Sequence, residues 1–550
     1  MTHKNQSRRS FVSTMAGTAL GFVIVPRHVL GGQGFTAPSD TVNFAIVGLG
    51  GQGVGITRGA IGYGQKLVAI VDVDMEAANL RVGGTQGGGR GGAANAPPNP
   101  AAIRATEAFA KAARYADFRV MLERERNNID GVMVATPDHL HAVIANAAMQ
   151  AGKAVYVEKP LTWSVHEARV LAATATRTGV VTQMGNQGHS MEGTKRIREW
   201  IQAGVIGPVR EVHVWTNRPI WPQGVPRPSM EALRTQTANP AVTQRAPQTA
   251  AATAQGGGRG GGRGGGRGAA PLQTTFAGRV GNIQQPLAAA MAAGLADPPP
   301  GMDWDLWIGP STMVPFHPIY HPFNWRGWVD WGAGALGDMG AHLIDQPMWA
   351  LDLDLPAAIE ATSTPFGMGI DDTPATFPQA MTAHYDFAAR GSQPPVKLTW
   401  YDGGLMPPRP DHLPDDITLQ RGGGGYFVGT NGILMYDTYG NNPRLYPESL
   451  KEAADRVPRT QERVPVSLTP EGDPASIHIA NWANAIMGKA KPSSSFEYAS
   501  RLTETMLLGL VALRVGQGRK ILYDGVNARI TNVPDANVLL TRDYRAGWSV

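Results

Sequence analysis

The chain has 550 residues, 42% of them hydrophobic, enough for about two to four domains with real cores. It contains no cysteine, which excludes disulfides, thiolate metal sites and cysteine nucleophiles. A net charge of +5 is small for this length and argues against nucleic-acid binding, since several arginines lie in a glycine tract.

The amino terminus reads as an address. Arg8 and Arg9, flanked by Ser7, Ser10 and Phe11, precede a mildly apolar run at residues 15–25. Twin arginines in that setting predict export through the twin-arginine translocon to the periplasm. The run is too short to span a bilayer comfortably, so no stable membrane anchor is expected. Residues 1–40 are therefore set apart as signal and linker.

Residues 42–47 form a short apolar strand, followed directly by Gly48, Leu49, Gly50, Gly51, Gln52 and Gly53. This is G-x-G-x-x-G between a strand and a helix (residues 54–61), the context in which it binds a dinucleotide. Gly48 permits the tight turn, Gly50 lets the backbone approach a pyrophosphate, and Gly53 lets the helix pack on the strand. A second strand, 66–72, ends in Asp72, about twenty residues past the glycines, where a carboxylate accepts from a ribose hydroxyl. An acid there favours NAD, with NADP as the alternative should Arg81 or Arg90 approach a 2′-phosphate.

Residues 83–100 are a low-complexity loop within this domain. A helix near 117–122 leads to a strand at 131–135, which runs into Thr136, Pro137, Asp138, His139, Leu140 and His141. Proline ends the strand, and the polar residues after it are expected along the cofactor, with His141 opening a helix. His139 and His141 lack a third ligand at suitable spacing, so no metal site is expected. One βα unit later a strand through Val155 and Val157 stops at Glu158, Lys159 and Pro160. Lys159 thus sits at a carboxyl strand end, where open parallel sheets bind ligands. A helix at 165–178 and a strand at 180–184 follow. The strand ends in a polar loop carrying Asn186 and His189, expected to face the same cleft. The dinucleotide domain spans 41–190.

The second domain, 191–550, opens with a helix at 192–203 and a strand at 209–216. Residues 230–300 depart in composition around an arginine-glycine repeat at 256–268, read as a flexible surface insertion. Residues 316–331 carry aromatics, two histidines and Arg326, suited equally to sugar faces and to a core. On one helix Asp338, His342 and Asp345 would share a face. A carboxylate one turn from an imidazole sets its tautomer and raises its basicity; the same spacing also fits a helix capped by Asp338. Strand-like runs between 359 and 436 predict a large, mostly antiparallel sheet. Helices at 476–487 and 498–515 and a strand at 520–523 close the chain.

In this order and at these spacings, the glycine loop, Asp72, Thr136 with Pro137, Glu158 to Pro160, and Asp338 with His342 resemble one family. It is the glucose–fructose oxidoreductase, inositol dehydrogenase and rhizopine-catabolism (Gfo/Idh/MocA) family, in its exported branch. The resemblance covers about residues 41–230 and 300–545. It implies a Rossmann domain followed by an α+β domain, NAD as cofactor, a sugar or polyol substrate and a homo-oligomer. It also implies that Lys159 hydrogen-bonds the reacting hydroxyl, that His342 moves its proton and that Asp338 orients His342. His189 and Arg326 join Lys159, Asp338 and His342 as expected substrate contacts. Glu158, Lys159, Asn186 and His141 join the glycine loop, Asp72, Thr136 and Pro137 around the cofactor. Two other readings stay open: a redox-neutral enzyme that oxidises and re-reduces its sugar on retained NAD, and an exported sugar-binding protein without activity.

Overall fold

A computed structural model describes residues 40–83, 100–228, 296–369, 373–411, 413–464 and 474–550. The export signal, Arg90 and the arginine-glycine repeat lie outside the described residues.

Six strands form the first sheet: β1 (Asn43–Val47), β2 (Lys66–Val71), β3 (Ala113–Tyr115), β4 (Gly131–Val134), β5 (Ala154–Val157) and β6 (Thr182–Met184). All neighbours are parallel, in the order β3-β2-β1-β4-β5-β6. The strand order switches direction between β1 and β4, so the crevice opens at their carboxyl ends. Successive residues feed opposite faces, and both faces are covered. Ala45, Val47, Val132, Val134 and Val155 enter one core, while Phe44, Ile46, Met133 and Tyr156 enter the other.

The second of those cores is completed from far along the chain. Ile479, Trp482 and Ala483, on the helix Pro474–Ile486, belong to it. Two glycines make room for them. A Cβ on Gly59 would lie 3.0 Å from Ile479 Cδ1, and one on Gly131 would lie 2.8 Å from Trp482 Cζ2. The parallel sheet thus ends near residue 190, but residues beyond it supply part of its core.

The second sheet is built from β7 (Val209–Thr216), β8 (Ala358–Ser363), β11 (Met381–Phe387), β12 (Val396–Tyr401), β13 (Gly423–Gly429), β14 (Gly432–Asp437), β15 (Asn441–Tyr446), β16 (Ile521–Asp524) and β17 (Arg529–Ile530); β9 (Gly367–Met368) and β10 (Pro374–Thr376) pair separately. Its order is β15-β14-β13-β7-β12-β11-β8-β16-β17, and only β7 with β12 is parallel. Along β11, Met381, Ala383, Tyr385 and Phe387 are buried in alternation. That face meets the helix Phe496–Val515, where Gly509 admits the Tyr385 ring: a Cβ there would lie 2.1 Å from the hydroxyl.

The aromatic run at 316–331 is chiefly core. Phe316, Tyr320, Trp328 and Trp331 pack with Trp307 and Trp304, whose rings stack at 4.5 Å. Phe323, Trp325 and Arg326, from the same run, line the crevice. Among the described residues no helix is long and apolar enough to cross a membrane.

Candidate active site

A cleft of about 440 Å³ runs from the glycine loop to the helix Gly334–Leu343. The loop's glycines divide by role. Gly48 has φ +90°, and a Cβ there would lie 2.7 Å from the Ala135 carbonyl oxygen. On Gly53 it would lie 2.0 Å from the Gly48 carbonyl oxygen. Both are required by the fold itself. Gly50 and Gly51 are different: a Cβ on either would meet no protein atom within 4 Å. The helix that starts here, Gly51–Gly62, has no side-chain cap and no acid in its first turn. Its leading N–H groups therefore face the cleft open to an anion. Open space plus unclaimed donors is what a pyrophosphate needs, so the loop fits a dinucleotide.

Asp72 sits at the end of β2 on the cleft wall. It accepts from Leu49 N at 2.7 Å and from Asp74 N at 2.9 Å, which ties the loop to the strand and leaves lone pairs for a ribose. Burial pushes its carboxyl above the usual range. Arg81 lines the cleft nearby, its Nη1 3.5 Å from the Leu49 carbonyl oxygen. Glu158, at the end of β5, accepts from Gln52 Nε2 at 3.1 Å, while its Oε2 is buried with no hydrogen-bond partner among the described residues. Thr136 and Pro137 also line the cleft.

At the far end stand Lys159, Asp338 and His342. Lys159 Nζ donates to the main-chain oxygen and to Oδ1 of Asp338, each at 2.8 Å. Arg218 Nε lies 3.4 Å from Asp338 Oδ2, and Arg326 Nε 3.6 Å from Oδ1. Burial raises the Asp338 carboxyl, but Lys159, Arg326 and Arg218 outweigh it and hold it well below the carboxylate range. Burial, aided by Lys159, pushes the His342 imidazole well below its usual value, so at neutral pH it is an uncharged proton acceptor. Its Nδ1 has no hydrogen-bond partner among the described residues, and Tyr439 packs edge-on against the ring at 4.6 Å. The expected pairing of Asp338 with His342 is therefore replaced: the ammonium arriving from β5 takes the carboxylate.

The shared face expected for Asp338, His342 and Asp345 is broken by Pro347. Proline has no N–H for the Leu343 carbonyl one turn back, so the helix Gly334–Leu343 stops and a second one, Asp345–Ala350, begins. The released Leu343 oxygen accepts instead from Tyr436 Oη at 2.9 Å. Asp345 turns away and binds His189 Nδ1 at 2.9 Å and Tyr498 Oη at 2.6 Å.

Four expected cleft residues lie elsewhere; His139 is fully buried, its Nε2 2.9 Å from the Trp307 carbonyl oxygen. His189 is buried between Trp349 and Tyr498, with ring centroids at 4.4 and 4.9 Å, because Asp345 claims it. His141 is on the helix Asp138–Gln150 but turns into the core, its ring nitrogens 2.7 Å from the Pro160 oxygen and 3.0 Å from the Thr136 oxygen. It braces two strand ends rather than touching the cleft. Asn186 is fully buried behind the cleft wall, where neither amide atom has a partner among the described residues.

Arg218, Tyr439 and Trp221 line the cleft and were missed as site residues, while Asp138 lines it as expected for the loop after Pro137. Arg218 carried a usable signal: Pro219 follows it just past β7, the same strand-ending proline that marks Pro137 and Pro160. Tyr439, a non-glycine residue at φ 69°, has no such mark.

A parallel sheet with a glycine loop, its crevice closed by a second α/β domain, defines a two-domain fold with a Rossmann NAD-binding domain. Two domain models describe the chain in those terms. Residues 92–186 match the NAD-binding Rossmann fold of the Gfo/Idh/MocA oxidoreductase family, and residues 274–370 match its C-terminal alpha/beta domain. Over those two stretches the chain is similar to that oxidoreductase family, and curated relatives match shorter parts of it. An uncharacterized oxidoreductase of Streptococcus pneumoniae serotype 4 is 33% identical over 141 residues, 26% of this chain and 36% of its own. The scyllo-inositol 2-dehydrogenase (NAD(+)) of Bacillus subtilis is 34% identical over 83 residues, 15% of this chain and 24% of its own. The chain thus spans well under half the length of these curated relatives. Among solved structures, the WlbA dehydrogenase from Bordetella pertussis in complex with NADH and UDP-GlcNAcA is 14% identical, covering 88% of this chain and 99% of its own at a TM-score of 0.49.

Proposed function

We propose that this protein is an NAD-dependent oxidoreductase acting on a CH–OH group of a sugar or polyol. The observation that carries the reading is the placement of Lys159 and the uncharged His342 in one cleft with the glycine loop and Asp72. NAD held by that loop supplies a hydride acceptor at nicotinamide C4. The chain handles the proton and the charge on oxygen. Lys159 spends two N–H groups on Asp338 and has a third for the reacting oxygen. His342 takes the hydroxyl proton as the carbinol becomes a carbonyl, and returns it in the reverse direction. Asp338 keeps the ammonium aimed. The Bacillus subtilis relative, named for a polyol, supports the substrate class. The test is transient reduction of the bound nicotinamide, or product formation, by the purified chain across a sugar and polyol panel; neither one across the panel, with NAD bound, removes the reading.

We further propose export through the twin-arginine route with the cofactor already bound and tightly retained. What supports it is the Arg8 and Arg9 pair ahead of the apolar run at 15–25. A reporter fused after residue 40 tests it: dependence of export on both arginines is expected, and indifference to them removes the proposal.

A further inference from the structure

At the substrate end of the cleft three cations converge on one carboxylate, and this inference rests on the oxidoreductase reading of that same site. Lys159, Arg218 and Arg326 all point at Asp338. The other acids of the cleft here are Asp138, whose Oδ2 already accepts from Ala333 N at 3.0 Å, and Glu158, which accepts from Gln52 Nε2 at 3.1 Å. Neither forms an ion pair with these cations, so all three share the one carboxylate of Asp338. Burial raises both Asp138 and Glu158, which weakens their claim on the cations further.

Neither arginine has a carboxylate of its own. The hydrogen bond of Arg218 runs from Nη1 to Asn217 Oδ1, a neutral amide, at 3.1 Å, while its buried Nε lies 3.4 Å from Asp338 Oδ2 without making a hydrogen bond. Arg326 donates from Nη1 to the Phe323 carbonyl at 3.0 Å, and its guanidinium lies over the Phe323 and Trp325 rings at 4.5 and 4.3 Å. Two other partly buried arginines of this chain show what such a fork does when a carboxylate is in reach. Arg169 grips Glu504 with two bonds of 2.9 and 2.6 Å, and Arg463 reaches Glu199 at 2.6 Å. A planar fork is built for a two-oxygen acceptor, and leaving it desolvated without one is costly. At Arg218 and Arg326 the forks line the cleft, at 28% and 22% side-chain exposure, and reach only the shared Asp338, at 3.4 and 3.6 Å.

We propose that the substrate is a sugar or polyol bearing an anionic substituent, a carboxylate or a phosphate, which Arg218 and Arg326 hold while its reacting hydroxyl faces Lys159 and His342. The aromatic wall of Trp221, Phe323 and Trp325 then takes the apolar C–H face of the ring.

Matched pairs test this on the full chain with NAD: glucuronate against glucose, galacturonate against galactose, gluconate against sorbitol, and glucose 6-phosphate against glucose. Turnover is read as product formation or reduction of the bound nicotinamide, and binding independently as quenching of enzyme-bound NADH fluorescence. In at least one pair the anionic member is expected to exceed its neutral parent about tenfold to a hundredfold in kcat/KM or affinity. The uronate and phosphate arms decide which anion it is. Arg218→Gln and Arg326→Gln should each shrink that ratio about tenfold. Tighter anion binding without any oxidation keeps the anion site and sinks the oxidoreductase reading. Oxidation of neutral sugars with no preference in any pair overturns the anion site and leaves the oxidoreductase reading standing. Absence of binding by every anionic member overturns it as well.

Discussion

Lys159 Nζ donates to both the main-chain oxygen and the Oδ1 of Asp338, each at 2.8 Å, and so joins the end of β5 to the first helix of the second domain's cleft wall. This contact distinguishes two roles for Asp338. If Asp338 acts through Lys159, then Lys159→Ala should lower kcat by about two to four decades. Adding Asp338→Ala to Lys159→Ala should cost little more, while Asp338→Ala and His342→Ala should multiply. Residues that act as a unit are grossly non-additive, and that is the readout. Strong coupling of Asp338 to His342 instead would restore the base-orienting role that the sequence spacing suggests.

How much of this was legible beforehand follows from what the sequence encodes locally. Period-2 runs, the glycine loop and strand-ending prolines are local, and they located β1, β2, β4, β5 and the positions of Asp72 and Lys159. The partner of Asp338 was not legible, because an ammonium 179 residues away competes with an imidazole one turn away, and only the folded register decides. His189 was misplaced for the same reason: its claimant, Asp345, is freed to turn away by Pro347. Trp482 in the Rossmann core was invisible, since nothing in a helical apolar pattern says which sheet it covers.

Asp138 gives a pH prediction. Burial pushes its folded-state value up to about 7 from an ordinary 3.8. A raised carboxyl contributes stability that is fully present below the unfolded value and is lost as pH rises through about 7. Asp138→Asn removes that dependence while keeping an acceptor for Ala333 N. The variant should therefore gain on the native chain as the pH is raised from about 5 to about 8, by a few kcal/mol at most. Thermal midpoints at both pH values report it. A gap that does not widen with pH would place Asp138 as an ordinary ionised acid.

The two kinds of glycine in the loop separate folding from binding. Gly53→Ala puts a methyl 2.0 Å from the Gly48 carbonyl oxygen, a backbone atom, so it should lower the thermal midpoint and cofactor affinity together. Gly50→Ala meets no protein atom within 4 Å, and its φ of −64° suits alanine. It should fold as the native chain does and still lose NAD affinity about tenfold or more, roughly 1.4 kcal/mol, by standing where the pyrophosphate must approach. Calorimetric titration with NAD on a variant of unchanged midpoint is the measurement. Unchanged affinity would move the pyrophosphate away from this turn.

The last prediction joins the signal to the cleft. A twin-arginine substrate folds before it crosses the membrane, and the dinucleotide binds only the folded chain. Free NAD is a cytoplasmic resource, so an exported enzyme of this kind must carry its cofactor out and regenerate it in place. Retention for hours requires an off-rate below about 10⁻⁴ s⁻¹, and with ordinary on-rates that corresponds to a Kd of about a nanomolar or less. Protein purified from the exported fraction should then hold close to one NAD per chain with none added, read by native mass spectrometry. Each reduced cofactor should be reoxidised by a second substrate or a later step on the same sugar, giving product without net NADH. Protein that arrives empty, and turns over only when NAD is supplied at micromolar levels, would leave an ordinary dehydrogenase that exchanges its cofactor at every cycle.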